Sequence, residues 1–134
     1  MRFLLGGLLV LHGLVHLLYF GQSRRLFELQ PEMVWPDGSW ALSRLFADRS
    51  TRFLASVACA LAALGFAAAG VSLLLIQGSW RPIVVSVAAF STVVFVILWN
   101  GRPKKLAEQG AFAVLLNAAI LIAVLAVHGP DLDF

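Results

Sequence analysis

Cysteine is almost absent from this 134-residue chain, in which Cys59 is the only one. A single thiol excludes an internal disulfide, a CxxC redox pair and a zinc site built from several thiolates of one chain. Because Cys59 stands in an alanine-rich run, we interpret it as a small packing residue.

Charge and catalytic motifs are also scarce. Charged residues make up 13% of the chain, about half the usual share. The sequence lacks a glycine-rich phosphate loop, an HExxH metal motif, a serine nucleophile elbow and a catalytic pair of carboxylates. These absences favour a non-enzymatic protein. The net charge of +3 comes from basic residues that flank apolar stretches, so no nucleic-acid partner is expected.

Long apolar stretches are what the chain has in abundance. They approach or exceed the ~20 residues needed to cross a bilayer, and they are Phe3–Phe20, Phe53–Ile76, Ile83–Trp99 and Ala111–Val127. Backbone amides inside lipid must be satisfied within the segment, which favours helices. The sequence therefore predicts an all-α membrane protein, with residues 1–134 forming one integral membrane domain, a four-transmembrane-helix bundle whose main partner is the lipid bilayer.

The ends of these stretches carry recognisable signals. No small-x-small cleavage site follows the first stretch by Gly21, so we predict a retained helix instead of a signal peptide. Pro82 suits the first turn of the third helix, where its missing N–H would be unpaired anyway. Gly129-Pro130 is a plausible stop for the fourth helix.

Lysine and arginine are distributed unevenly among the connections. Eight lie in the first and third connections, and two lie elsewhere: the eight are Arg24, Arg25, Arg44, Arg49, Arg52, Arg102, Lys104 and Lys105, and the two are Arg2 and Arg81. Basic loops stay in the cytoplasm. We therefore predict a multi-pass protein of the cell inner (plasma) membrane, with loops 21–52 and 100–110 cytoplasmic and both termini outside. The acidic Asp131 and Asp133 are compatible with an outer C-terminus.

The first connection is too long for a simple turn. Pro31, Pro36 and Gly38 interrupt it, and Ser39 is a suitable N-cap for a helix that begins after them. Apolar residues then recur on one side, namely Leu42, Leu45 and Phe46, next to Arg49. We predict a short amphipathic cytoplasmic helix between helices 1 and 2, ending near Asp48. It would lie on the membrane surface or continue into the second span, with Trp35 and Trp40 at headgroup depth.

His12 and His16 are the most distinctive polar residues of the apolar stretches. A spacing of four places both imidazoles on one helix face. Ionisable groups inside a membrane span are costly and face the bundle interior, where they mark functional sites by default. Three interpretations stay open: neutral histidines in polar packing, a ligand or haem contact, and a metal site. A metal site needs three or four ligands, and further ligands are scarce, so none is predicted.

Other polar residues complete a candidate pocket. The amide of Asn117 needs a partner in lipid, and a histidine of the first helix is a candidate across the bundle. Asn117 then acts either as a helix-pairing clamp or as a substrate contact. Trp99 and Asn100 are either an interface anchor or the lining of a cytoplasmic pocket. The candidate site is thus His12, His16, Trp99, Asn100 and Asn117. We expect Ser91, like Thr92, to bond to its own helix.

Small residues recur four apart in the second stretch. They are Ala55, Cys59, Ala63 and Ala67, and Gly6 and Gly13 supply small residues in the first stretch. This spacing lets helix backbones approach closely. It predicts helix packing within the bundle or a homo-oligomer face.

The segment Leu11–Leu17, LHGLVHL, resembles the HGLxHL stretch of small, uncharacterised four-span bacterial membrane proteins of similar length. Those proteins commonly have a polar residue after a tryptophan and an asparagine in the last helix, and Trp99-Asn100 and Asn117 match these positions. The resemblance implies a bacterial four-span fold and no particular activity. A weaker likeness is to the DoxX-like family, some of whose members are associated with quinone-linked redox chemistry. The acidic and arginine residues expected in the later helices of the DoxX-like family are missing from this sequence.

These observations predict a small integral membrane subunit or binding module with an intramembrane polar pocket. The first alternative is a redox subunit in which His12 or His16 approaches haem or quinone. The second alternative is a small oligomeric transporter, against which the apolar stretches lack the embedded carboxylate typical of proton coupling. Partners beyond lipid would be further copies of the chain or a larger membrane complex, and the cofactor, if any, stays unknown.

Overall fold

The computed structural model describes residues 1–126 of the chain. In order, its elements are α1 (Arg2–Ser23), α2 (Asp48–Leu74), α3 (Trp80–Leu98), a 3₁₀ helix (Leu106–Gln109) and α4 (Ala111–Ala126). Over the described residues the regular structure is all helical, without strands, as predicted. The predicted helix stop at Gly129-Pro130 and the acidic tail lie outside the described residues.

Three of the helices are long and apolar enough to cross a membrane: α1 with 22 residues, α2 with 27 and α3 with 19. This finding indicates a membrane protein. The described part of α4 has 16 residues, or about 24 Å at 1.5 Å per residue, which is shorter than a ~30 Å hydrocarbon core. Pro82 lies in the first turn of α3, as predicted.

Much of the apolar surface faces outward. On α1, Phe3, Leu4 and Leu8 are 67%, 69% and 61% exposed, and α4 presents Leu115 and Ile122 in the same way. Large exposed apolar areas are uncommon on water-soluble monomers. A lipid environment accounts for this surface, because there the outward side chains are solvated by acyl chains.

Within residues 1–126, the interior contains two apolar clusters. One surrounds Leu9, Phe66 and Val84. The other surrounds Tyr19, Trp35 and Phe95 and includes Cys59, which is 1% exposed. Cys59 therefore packs in the core, in agreement with its interpretation as a small packing residue. Tyr19, at the end of the first apolar stretch, is buried as well.

The connection between α1 and α2 differs from the prediction. Instead of an amphipathic surface helix from Ser39 to Asp48, the segment forms successive turns, and α2 begins at Asp48. The reason lies in bonds to α3. The Ser39 hydroxyl donates to the carbonyl of Ile97 (2.6 Å), and the N–H of Trp40 donates to the carbonyl of Trp99 (2.8 Å). These bonds satisfy orphan carbonyls at the end of α3, whereas so short a helix is marginal on its own.

Polar side chains hold the same connection against the end of α1. The Gln22 amide donates to the carbonyl of Met33 (3.0 Å) and accepts from the N–H of Leu29 (2.9 Å). Asp37 forms ion pairs with Arg25 (2.8 Å) and Arg52 (2.7 Å). As a result Trp35 enters the bundle and is fully buried inside the protein, instead of facing the lipid headgroups as an interface anchor would. Trp40 is 53% exposed.

Candidate functional site

The two histidines of α1 lie between the apolar clusters. His12 is 2% and His16 is 1% exposed. Their rings meet edge to face, with 4.8 Å between centroids. Phe66 of α2 packs against both rings, at 4.5 Å from His12 and 5.2 Å from His16. Because the spacing of four places both rings on one face of α1, they point together into the bundle.

Four side chains form a hydrogen-bond ring with one backbone carbonyl, which we call the polar ring: His12, His16, Ser91 and Asn117. His12 Nε2 lies 2.7 Å from Asn117 Oδ1, and Asn117 Nδ2 donates to Ser91 Oγ at 2.8 Å. Ser91 Oγ lies 2.6 Å from His16 Nε2, and His16 Nδ1 lies 2.9 Å from the carbonyl oxygen of His12. The polar ring thereby joins α1, α3 and α4.

The partners fix the direction of every bond for neutral imidazoles. A carbonyl oxygen only accepts, so His16 Nδ1 carries the proton and its Nε2 accepts from the Ser91 hydroxyl. Ser91 Oγ then accepts from the Asn117 amide, whose own oxygen accepts from His12 Nε2–H. All four bonds are satisfied at once, which is what buried polar groups require. The arrangement needs no ion in a region where charge is costly.

One ring nitrogen is left over. His12 Nδ1 is buried and has no hydrogen-bond partner among the described residues. The other three imidazole nitrogens of His12 and His16 take part in the bonds of the polar ring. His12 Nδ1 is therefore the one nitrogen of the two histidines whose lone pair is available to a ligand. No group of three or more His, Cys, Asp or Glu residues within residues 1–126 could hold a metal ion.

The predicted contact between Asn117 and a histidine is present, as the His12 bond shows. Trp99 and Asn100 are not part of the polar ring. The Trp99 indole donates to the carbonyl of Arg102 (3.0 Å), and Asn100 Oδ1 accepts from the N–H of the same residue (3.0 Å). Both residues shape the turn after α3, where Gly101 adopts a positive φ of 76°.

Ser91 was not predicted as part of the site. We expected it to bond to its own helix, as Thr92 does through the carbonyl of Ala88 (2.8 Å). The sequence does contain a signal for including Ser91. Three polar residues stand well inside their apolar stretches, namely His12, Ser91 and Asn117, so helices of similar length place them at comparable depth. Depth alone does not say which of Ser91 and Thr92 faces inward.

A separate apolar cavity of about 350 Å³ lies between α3 and α4 at the end that carries the third connection. Trp99 lines it together with Phe95, Val96, Leu106, Gln109, Ala111, Val114 and Leu115. Gln109 is 6% exposed, and its Oε1 has no hydrogen-bond partner among the described residues. Trp99 thus lines a pocket, but one distinct from the polar ring.

Comparisons of the chain with protein-family models, with curated proteins and with solved structures find no match. The resemblances stated from the HGLxHL segment therefore stay predictions.

Proposed function

We propose that this chain is a small, non-enzymatic integral membrane subunit or binding module, whose intramembrane polar site is the ring of His12, His16, Ser91 and Asn117. The observation that carries the proposal is the closed set of bonds. A ring that joins three helices through neutral groups selects one packing of the bundle, because each alternative packing leaves polar groups unpaired in lipid. The packed bundle then presents its apolar exterior to lipid and to membrane partners.

The proposed topology has four spans, with both termini outside the inner membrane and loops 21–52 and 100–110 in the cytoplasm. The bonds from Ser39 and Trp40 to the end of α3 support this arrangement, because they bring the first and third connections to the same end of the bundle. Together with the first turns of α2, those two connections hold eight of the ten basic residues. Clustering of basic loops at one end is what the positive-inside rule requires.

A cysteine-labelling experiment tests this topology. Cys59→Ala gives a cysteine-free chain, because Cys59 is the only cysteine. Ser79→Cys, in the exposed turn before α3, is expected to react in intact cells with a membrane-impermeant maleimide. Ser43→Cys, in the exposed first connection, is expected to react only after the membrane is permeabilised. A reporter fused after Phe134 should be active outside, and the reverse pattern at either site would refute the orientation.

Replacing Ser91 by alanine is expected to destabilise the bundle by about 1–2 kcal/mol, because His16 Nε2 and Asn117 Nδ2 both lose their partner. Thr92→Val is the matched control: its hydroxyl bonds within α3, so its loss should cost less than about 0.5 kcal/mol. The free energy of unfolding of both variants is measured by titrating SDS into protein held in a mild detergent.

The same preparations separate the proposal from the redox alternative, which the unpartnered His12 Nδ1 favours. We expect purified wild-type protein to be colourless near the haem Soret band. A Soret band that Ser91→Ala weakens while stability stays unchanged would replace the proposed packing role with a cofactor site.

A further inference from the structure

The cavity between α3 and α4 is suited to an amphiphile. Its volume of about 350 Å³ is at the lower end of the ~300–1,000 Å³ range of ligand pockets. Its walls are apolar, and two of the lining side chains, Val96 and Leu115, are 47% and 65% exposed on the outer surface of the helices. The cavity therefore opens towards the acyl chains of the surrounding lipid.

One residue that lines the cavity, Gln109, has an unpaired polar atom that a polar group of a ligand can bond to. Gln109 is more than nine-tenths buried, and its Oε1 has no partner among the described residues. An unpaired buried amide costs free energy that a ligand hydroxyl would recover by donating to it. Gln109 lies in the 3₁₀ helix that precedes α4, so this polar group sits at the end of the bundle that carries the third connection.

The rim beside the cavity is basic. The third connection carries Arg102, Lys104 and Lys105 against one acid, Glu108, and Lys105 pairs with Glu108 at 3.4 Å. The described part of the chain shows no ion pair for Arg102 or Lys104. The carbonyl of Arg102 accepts from the indole of Trp99, which lines the cavity. Arg102 and Lys104 are exposed and belong to the connection that leads from Trp99 to Leu106, two residues that line the cavity.

We propose that this cavity is a binding site for an anionic phospholipid whose headgroup carries hydroxyls, such as phosphatidylglycerol. One acyl chain occupies the apolar space, a headgroup hydroxyl donates to Gln109 Oε1, and the phosphate meets Arg102 and Lys104. Charge complementarity favours an anionic lipid over the other candidates. A neutral quinone or a zwitterionic lipid carries no net negative charge to balance the positive charges of Arg102 and Lys104. The inference rests on the proposed topology in one respect only, namely that the bound lipid belongs to the inner leaflet.

Lipid retention tests the proposal. The full chain is placed in nanodiscs with equal amounts of phosphatidylglycerol and phosphatidylcholine, then released into detergent, and native mass spectrometry counts the retained lipid. We expect wild type to retain phosphatidylglycerol about tenfold over phosphatidylcholine, since two surface cations each favour anionic lipid. Arg102→Gln with Lys104→Gln should remove the preference. Arg44→Gln with Arg49→Gln is the matched control, because these exposed arginines lie in the other basic connection and in the first turn of α2, away from the cavity lining, and should not matter.

The cavity itself is tested by Val114→Phe, which fills it and should abolish retention. If that variant unfolds, Gln109→Leu replaces it: the chain should stay folded and retain several-fold less phosphatidylglycerol. Equal retention of the two lipids, displacement by decylubiquinone, or an equal loss in the Arg44/Arg49 control would overturn the proposal. Each of these results leaves the Ser91 and topology experiments unaffected, so a failure here is distinguishable from a failure of the proposed function.

Discussion

Replacing Trp35 by alanine is expected to destabilise the protein by about 3–5 kcal/mol, the range for truncating a buried aromatic residue. Trp35 is fully buried. Its ring stacks on Phe95 with 5.5 Å between centroids and meets Tyr19 edge to face at 5.1 Å. Without the indole, the connection between α1 and α2 loses its apolar anchor, and Met33, which belongs to the same cluster, is expected to become exposed.

The lone cysteine provides a local readout for this change. Cys59 belongs to the same cluster as Trp35 and is 1% exposed. In wild type, a maleimide should react with it slowly, and in Trp35→Ala the reaction should be much faster. Slow labelling together with unchanged stability in this variant would mean that the connection is not anchored by Trp35.

Two control variants make the interpretation specific. Trp35→Phe keeps an aromatic ring and removes an indole Nε1 that has no hydrogen-bond partner among the described residues, so its loss of stability should be clearly smaller. Val34→Ala changes the adjacent residue, which is 56% exposed, and should leave both stability and Cys59 labelling near wild type.

The position of Trp35 shows where prediction from the sequence stops. The apolar runs predicted all four helices, because length and hydropathy are local properties of the chain. The burial of Trp35 depends on contacts with Tyr19 and Phe95, which are distant in sequence. An indole beside turn residues is equally compatible with contact with the lipid headgroups, so the local pattern does not predict burial inside the protein.

The polar ring was predictable in part for the same reason. His12 and His16 lie on one face of α1 because they are four residues apart. The amide of Asn117 needs a partner in lipid, and its position inside α4 places it at a depth similar to that of His12, so a contact between the two could be expected. The sequence predicts a bond of Ser91 within its own helix, because serine can make such a bond, whereas in the structure the rotation of α3 turns the hydroxyl towards His16 and Asn117. The prediction of a surface helix was wrong because the bonds from Ser39 and Trp40 to α3 are long-range.

The close approach of α1 and α2 leads to the second large effect. A Cβ placed on Gly13 would lie 2.9 Å from the carbonyl oxygen of Ala63, and one placed on Gly70 would lie 2.7 Å from that of Gly6. Backbone atoms cannot rotate away as a flexible side chain can, so the helices must separate. We expect Gly13→Ala and Gly70→Ala each to destabilise by about 1–3 kcal/mol, and the double variant by more than either, measured by SDS titration.

Gly7→Ala is the control within the same helix, because a Cβ there meets nothing within 4 Å. Alanine is the better helix former by about 0.5–1 kcal/mol, so this variant should be as stable as wild type or slightly more stable. If Gly13→Ala behaved like Gly7→Ala, α1 and α2 would not be in close contact at this level.

The glycine contacts also position the polar ring. The Cβ on Gly13 would lie 3.3 Å from Cβ of Phe66, and Phe66 is the residue that packs against the rings of His12 and His16. Separating α1 from α2 therefore shifts the histidines relative to Ser91 and Asn117. Because the two effects share these contacts, they should not add: Ser91→Ala should cost less stability in a Gly13→Ala background than in wild type. Full additivity would show that the ring forms independently of the α1–α2 contact.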